Sequence, residues 1–207
     1  NGTTANVYAF IDYLSSQLSE NSLTAVSNGA CCVVGNQCYN IQKGSRFIIN
    51  SAIASMGYGL PAAIGLCVSA GKKPTICLEG DGSIMMNLQE LQTIQTNKLP
   101  IKIYLINNNG YHSIRLTQNN LFSEHTNVGI GPESNDLSFP DFEKIANAFG
   151  YKYYSAHSNK EMMSVVERTL AEEGPLFCEI FTDTLQVWEP KSSAKKLPDG
   201  TIVSPPL

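Results

Sequence analysis

The segment Glu79-Gly80-Asp81-Gly82-Ser83 sets one carboxylate between two glycines and just ahead of a hydroxyl. Glycine lets the backbone approach a ligand closely and aim its N–H groups at it. The apolar run Thr75 to Leu78 leads into this turn, and a helix-spaced stretch follows it. A helix beginning nearby adds the positive end of its dipole. One carboxylate among donors suited to phosphate is a common setting for Mg²⁺, which keeps few protein ligands, all oxygens, and takes the rest from phosphates and water. A second apolar run, Ile101 to Ile106, ends in Asn107-Asn108-Asn109-Gly110, whose Asn108 lies 27 positions after Asp81. Taken singly, Gly-Asp-Gly reads equally as a tight turn and the asparagines as a loop. Taken together they are far more specific for a metal and phosphate site.

The elements that must hold these turns follow from apolar spacing. Val7, Phe10, Ile11, Leu14 and Leu18 predict an amphipathic helix over 5–18. Leu23 to Ser27 reads as a short strand ending at the turn pair Asn28-Gly29, and Phe47-Ile48-Ile49 is another short apolar run. Pro61 to Val68 predicts a buried helix with proline in its first turn, and Leu88, Leu91 and Ile94 carry helix spacing. Residues 107–138 show little periodicity, as a functional or mobile loop would. Beyond them come a helix over Phe139 to Phe149, a strand over Tyr151 to Tyr154, a helix over Met162 to Leu170 and a last strand over Leu176 to Phe181. From Glu189 onward the chain reads as extended surface segment. Short strands alternating with helices imply a three-layer α/β domain, its sheet mainly parallel with helices on both faces. Ligands of such sheets bind beyond the carboxyl ends of the strands, which is where both turns fall.

Composition narrows the classes. The chain has 207 residues, 43% apolar and 15% charged, enough for one core of good size and too apolar for a disordered tail. A net charge of −4 argues against nucleic acid held by a basic face, and no run of about 18 apolar residues argues against a membrane span. Cys31, Cys32, Cys38, Cys67, Cys77 and Cys178 form no C-x-x-C pair. They read as buried free thiols in a reducing, cytoplasmic setting. A start at Asn1 without methionine suggests a piece of a longer chain, with a cofactor domain over 1–182 and a tail over 183–207.

Gly-Asp-Gly, an intervening helix, and a strand ending in Asn-Asn form the signature of thiamin-diphosphate enzymes. With Ser83 to Ile94 and the Leu-Pro-Ile-Lys-Ile run before Asn107 to Tyr111, the chain closely resembles the carboxyl-terminal cofactor domain of acetolactate synthase large subunits and their relatives. The likeness spans roughly residues 5–180 and is strongest from Ser51 to Ile114. It implies the thiamin-diphosphate-binding fold, with Mg²⁺ held by Asp81, Asn108 and the Gly110 carbonyl. It implies phosphate contacts from Gly80, Gly82, Ser83 and the amides around Tyr111 and His112, with Asn28, Gly29 and Ala30 capping the diphosphate. In the stretch Ala54-Ser55-Met56-Gly57-Tyr58-Gly59-Leu60-Pro61, Met56 would be the bulky apolar residue under the cofactor and Ala54 would offer its carbonyl to the pyrimidine ring. The activity implied is decarboxylation of a 2-oxo acid, pyruvate first, and transfer of the C2 unit to an acceptor. The catalytic glutamate is expected on an absent domain of a partner subunit, in a homodimer or homotetramer. Another thiamin-diphosphate decarboxylase, carboligase or lyase is the alternative within the class. Thr117 stands about where biosynthetic members carry a tryptophan, and His112 where many relatives have glycine. Tyr111 and Arg115 are candidates to face substrate, while His125 and His157 read as surface residues.

Two rival readings come from other classes. Gly57-x-Gly59-x-x-Ala62, with Glu79 placed 22 positions after Gly57, is a variant dinucleotide fingerprint. A non-catalytic scaffold that keeps the fold is the other, although scaffolding needs none of Asp81, Asn108 and Met56.

Overall fold

The computed structural model describes residues 4–190 and 194–204. Helix α1 spans Val7–Ser16 and leads into strand β1, Leu23–Val26. Helix α2, Ala30–Cys38, and strand β2, Arg46–Ile49, come next. Helix α3, Gly59–Ser69, precedes strand β3, Thr75–Gly80. Two short helices, α4 (Asp81–Ile84) and α5 (Glu90–Thr96), lead to strand β4, Ile101–Asn107. Helix α6, His112–Leu121, is followed by a 3₁₀ turn at Pro132–Ser134, helix α7 (Phe142–Ala148) and strand β5 (Lys152–Ala156). Helix α8, Asn159–Ala171, and strand β6, Leu176–Phe181, complete the main body. A small antiparallel pair, β7 (Lys195–Lys196) and β8 (Ile202–Val203), lies beyond.

Six strands form one sheet in the order β2-β1-β3-β4-β6-β5, and every pairing in it is parallel. Helices cover both faces, so the α/β three-layer expectation holds. Alternation along each strand builds two cores. Val26, Leu78, Tyr104 and Cys178 meet α1, α2 and α8 on one face. Ala25, Cys77, Ile103, Leu105 and Phe177 meet α3, α5 and α7 on the other. Burial on both faces explains why β3 and β4 read as continuous apolar runs.

Helix starts are set by side-chain caps. Asn6 accepts from the N–H groups of Tyr8 and Ala9, and Ser158 from Glu161. Asp141 accepts from the Lys144 N–H and begins α7 at Phe142, three residues later than the apolar spacing implied. Lys102 interrupts the apolar run of β4 and stays buried because its ammonium donates to the carbonyls of Thr169, Leu170 and Glu172, where α8 ends.

Two helices differ from the sequence reading. Helix α6 occupies part of the stretch read as aperiodic. Its buried residues are His112 and Arg115, so no apolar stripe marks it. Helix α2 has a buried face of Ala30, Cys31, Cys32, Val34 and Gly35, too small and too uncharged on its outer side to show a period. All six cysteines are free, but Cys38 is only half-buried. No helix among the described residues is long and apolar enough to cross a membrane.

Candidate functional site

The chain runs from β1 outward to β2, then returns past β1 to begin β3 on its other side. The strand order therefore reverses between β1 and β3, and an open sheet offers a crevice at such a point. A cleft lies there. Its walls come from the segments that follow three strands: Asn28, Gly29 and Ala30 after β1, Gly80 to Ser83 after β3, and Asn108 with Gly110 to Ile114 after β4. Met56 lies on its rim.

Asp81 is 2% exposed. Its Oδ1 accepts from the Gly82 N–H and its Oδ2 from the Gly110 N–H, both at 2.8 Å, so the β3 and β4 turns are tied through this carboxyl group. Burial pushes its pKa up to about 7, against the pull of those two donors and the Arg115 charge. A carboxylate so placed is short of positive charge. Asn108 Oδ1 is buried with no hydrogen-bond partner. An orphaned acceptor of this kind costs about 1–3 kcal/mol unless something occupies it. The Gly110 carbonyl accepts from the His112 N–H at 3.0 Å and keeps a second lone pair. These are hard oxygens on one cleft, the donor set Mg²⁺ prefers. No cluster of three His, Cys, Asp or Glu able to hold a metal occurs among the described residues. The Asp81, Asn108 and Gly110 oxygens fit a cation that takes few protein ligands and completes its shell from a phosphate.

Two glycines are required by their surroundings. A Cβ on Gly82 would lie 2.3 Å from the Tyr111 ring. A Cβ on Gly110, at φ +139°, would lie 1.9 Å from the Ile130 carbonyl oxygen. Gly29 caps α2 with no side-chain hydrogen bond, so the first N–H groups of that nine-residue helix are left for an anion in the cleft.

Several expected contacts are spent elsewhere. The N–H groups of Tyr111 and His112 donate to Ile130 and Gly110 carbonyls at 2.7 and 3.0 Å, which takes them from a phosphate. Ser83 Oγ pairs with Ser27 Oγ at 2.7 Å and accepts from the Gly57 N–H at 2.9 Å. It therefore joins β1, the Met56 segment and α4. Ala54 and Ser55 are exposed and lie outside the cleft lining. Arg115 is buried behind the Asn108 loop, so it faces no substrate. His125 and His157 are exposed.

Sequence reasoning missed Trp188. It is 3% exposed, lines the cleft and packs edge-on against His112 with ring centroids 4.9 Å apart. His112 Nε2 lies 2.8 Å from the Gln186 carbonyl oxygen, so the chain after β6 forms one wall. The only signal was that it is the chain's single tryptophan. The dinucleotide reading fails on geometry. No strand runs into Gly57, since β2 ends at Ile49, and Glu79 is fully buried with its carboxylate where a Gly59 Cβ would stand.

Comparison with known proteins identifies the family. Residues 27–180 match the profile of the C-terminal TPP-binding domain of thiamine pyrophosphate enzymes. The chain belongs to that family. It is 33% identical over 172 residues to an acetolactate synthase large subunit of Cyanidium caldarium, an alignment covering 82% of this chain and 28% of that protein. With the acetolactate synthase isozyme 2 large subunit of Escherichia coli K12 it shares 34% identity over 147 residues, 70% of this chain and 26% of the relative. The Porphyra purpurea large subunit is 37% identical over 137 residues, 65% and 22% of the two chains. The chain thus spans about a quarter of the length of these relatives.

Proposed function

We propose that this chain holds thiamin diphosphate through Mg²⁺, as the cofactor-binding part of an acetolactate synthase-like enzyme. The observation that carries the reading is the orphaned Asn108 Oδ1 sharing a cleft with the buried Asp81 carboxyl. Asp81, Asn108 and the Gly110 carbonyl would hold the metal. The α2 N-terminus at Gly29 and Ala30 and the Gly80–Gly82 turn would hold the diphosphate. Met56 on the rim would pack under the cofactor's rings, where its adaptable thioether suits an irregular gap. Bound there, thiamin diphosphate supplies the carbon nucleophile and electron sink that decarboxylation of a 2-oxo acid requires. Trp188 and His112 close the wall on that side and exclude water from it.

The reaction we assign to the whole enzyme is decarboxylation of a 2-oxo acid, pyruvate first, with transfer of the C2 unit to an acceptor. Residues 1–182 form the binding unit, and the chain beyond contributes Trp188. The activating glutamate comes from outside this chain, across the interface of a homodimer or homotetramer in the cytoplasm. Equilibrium dialysis tests the binding claim. The protein should retain thiamin diphosphate only with Mg²⁺, Asp81→Ala should abolish retention without unfolding the chain, and NADH should not bind. Retention that Asp81→Ala leaves unchanged would overturn the reading. Pyruvate turnover by this chain alone would overturn the shared site.

A further inference from the structure

We propose that Arg115 is a positioning residue for the metal loop, and that Glu133, outside the cleft, sets how firmly it holds. The inference rests on the metal-binding role proposed for Asp81 and Asn108. Arg115 is 2% exposed and is among the bulkiest buried side chains of the molecule. Its Nη1 donates to the Asn108 carbonyl at 3.3 Å and its Nη2 to the Asn109 carbonyl at 3.0 Å. These are the backbone groups of the residues whose conformation aims the Asn108 side chain. Its Nη1 also lies 2.9 Å from His112 Nδ1. A guanidinium only donates, so Nδ1 accepts, and Nε2 carries the proton and donates to the Gln186 carbonyl. The fourth contact is an ion pair from Nε to Glu133 Oε1 at 2.5 Å.

One planar group thus joins the metal loop, the first residue of α6, the wall after β6 and the 3₁₀ turn at Pro132–Ser134. The two loops already meet backbone to backbone. The Tyr111 N–H donates to the Ile130 carbonyl at 2.7 Å, and a Cβ on Gly131 would lie 2.5 Å from the Asn109 carbonyl oxygen. Arg115 fastens that contact from inside. The Glu133 side chain is 38% exposed and the residue is not part of the cleft lining, so it touches the metal loop through Arg115.

Charge alone predicts the opposite sign. A buried cation near a metal site repels the metal, so its removal would tighten Mg²⁺ binding if charge were its whole effect. A positioning role predicts that removal loosens it. Partners that orient metal ligands typically change metal affinity by about 10–100-fold when lost.

The test measures thiamin diphosphate retained by the intact protein across a Mg²⁺ series, for wild type, Arg115→Met, Arg115→Lys and Glu133→Gln. Thermal unfolding without Mg²⁺ reports general damage separately. The half-saturating Mg²⁺ concentration should rise about 10–100-fold in Arg115→Met. It should rise about fivefold in Glu133→Gln, where a neutral amide replaces a charge-assisted partner. Arg115→Lys should recover only part, because an ammonium cannot reproduce the fork across two carbonyls. Should Arg115→Met fail to fold, Arg115→Lys decides, because it keeps the charge and loses the fork, so charge alone predicts no change and the clamp predicts a rise. Unchanged or lower half-saturation in the folded variants overturns the clamp alone. Wild-type protein that retains no cofactor at any Mg²⁺ concentration overturns the metal reading and the clamp with it.

Discussion

Replacing Asn108 by alanine should make the metal-free protein no less stable while stripping it of cofactor affinity. Asn108 Oδ1 is buried and unpartnered, so in the metal-free state it is a burden of about 1–3 kcal/mol. The substitution removes that burden and loses ordinary packing worth about 1 kcal/mol. The variant should therefore lie between unchanged and about 2 kcal/mol more stable, a Tm shift of zero to about +6 °C for a chain of this size. An asparagine with satisfied hydrogen bonds would move Tm downward instead. With ligand the order reverses. Thiamin diphosphate and Mg²⁺ at a hundred times the dissociation constant stabilise wild type by about 2.7 kcal/mol. A loss of affinity of about 10–100-fold leaves the variant only about 1.4 to 0.4 kcal/mol of that gain. Thermal unfolding in EDTA, then with Mg²⁺ and cofactor, reads both halves. A drop of more than about 3 °C in EDTA, or a ligand shift equal to wild type, would refute the argument.

Three further predictions address other parts of the fold. Lys102→Met leaves the three carbonyls at the end of α8 without their donor and should cost about 3 kcal/mol, measured by urea denaturation. Gly82→Ala drives a Cβ into the Tyr111 ring at 2.3 Å and should cost about 1–3 kcal/mol while weakening cofactor retention, read by unfolding and dialysis together. Glu179 lies under the sheet edge, bonded to Asn107 Nδ2 and Tyr153 OH, each at 2.6 Å, and burial raises its carboxyl above the usual range. A carboxyl raised in the folded state stabilises most below its unfolded value, and that contribution is lost as pH rises through the folded value. Glu179→Gln should therefore flatten the decline in stability as pH rises from about 4.5, followed by denaturation at a series of pH values.

The sheet was legible because parallel strands buried on both faces must be apolar throughout, as Ile101 to Ile106 are apart from Lys102. That the Gly80–Ser83 turn and Asn108 share one cleft was legible because both follow apolar runs that become neighbouring parallel strands. What stayed hidden depends on partners distant in sequence. Ser83 reads as a phosphate ligand until its hydroxyl is found between Ser27 and the Gly57 N–H, 56 and 26 positions away. Arg115 reads as a candidate to face substrate because a lone arginine in a polar stretch carries no sign that it is buried. Helix α6 was invisible for the same reason, since its inner face is a histidine and an arginine. Trp188 lies in a segment with no periodicity, and only its packing on His112 reveals that it belongs to the cleft.

The most direct measurement is a crystal structure of the protein with thiamin diphosphate and Mn²⁺, using anomalous scattering to place the metal. The account predicts one ion in the cleft after β3 and β4, with an Asp81 oxygen, Asn108 Oδ1 and the Gly110 carbonyl oxygen each about 2.1 Å away. An ion found elsewhere, or a cofactor seated with neither side chain within coordinating distance, would contradict it.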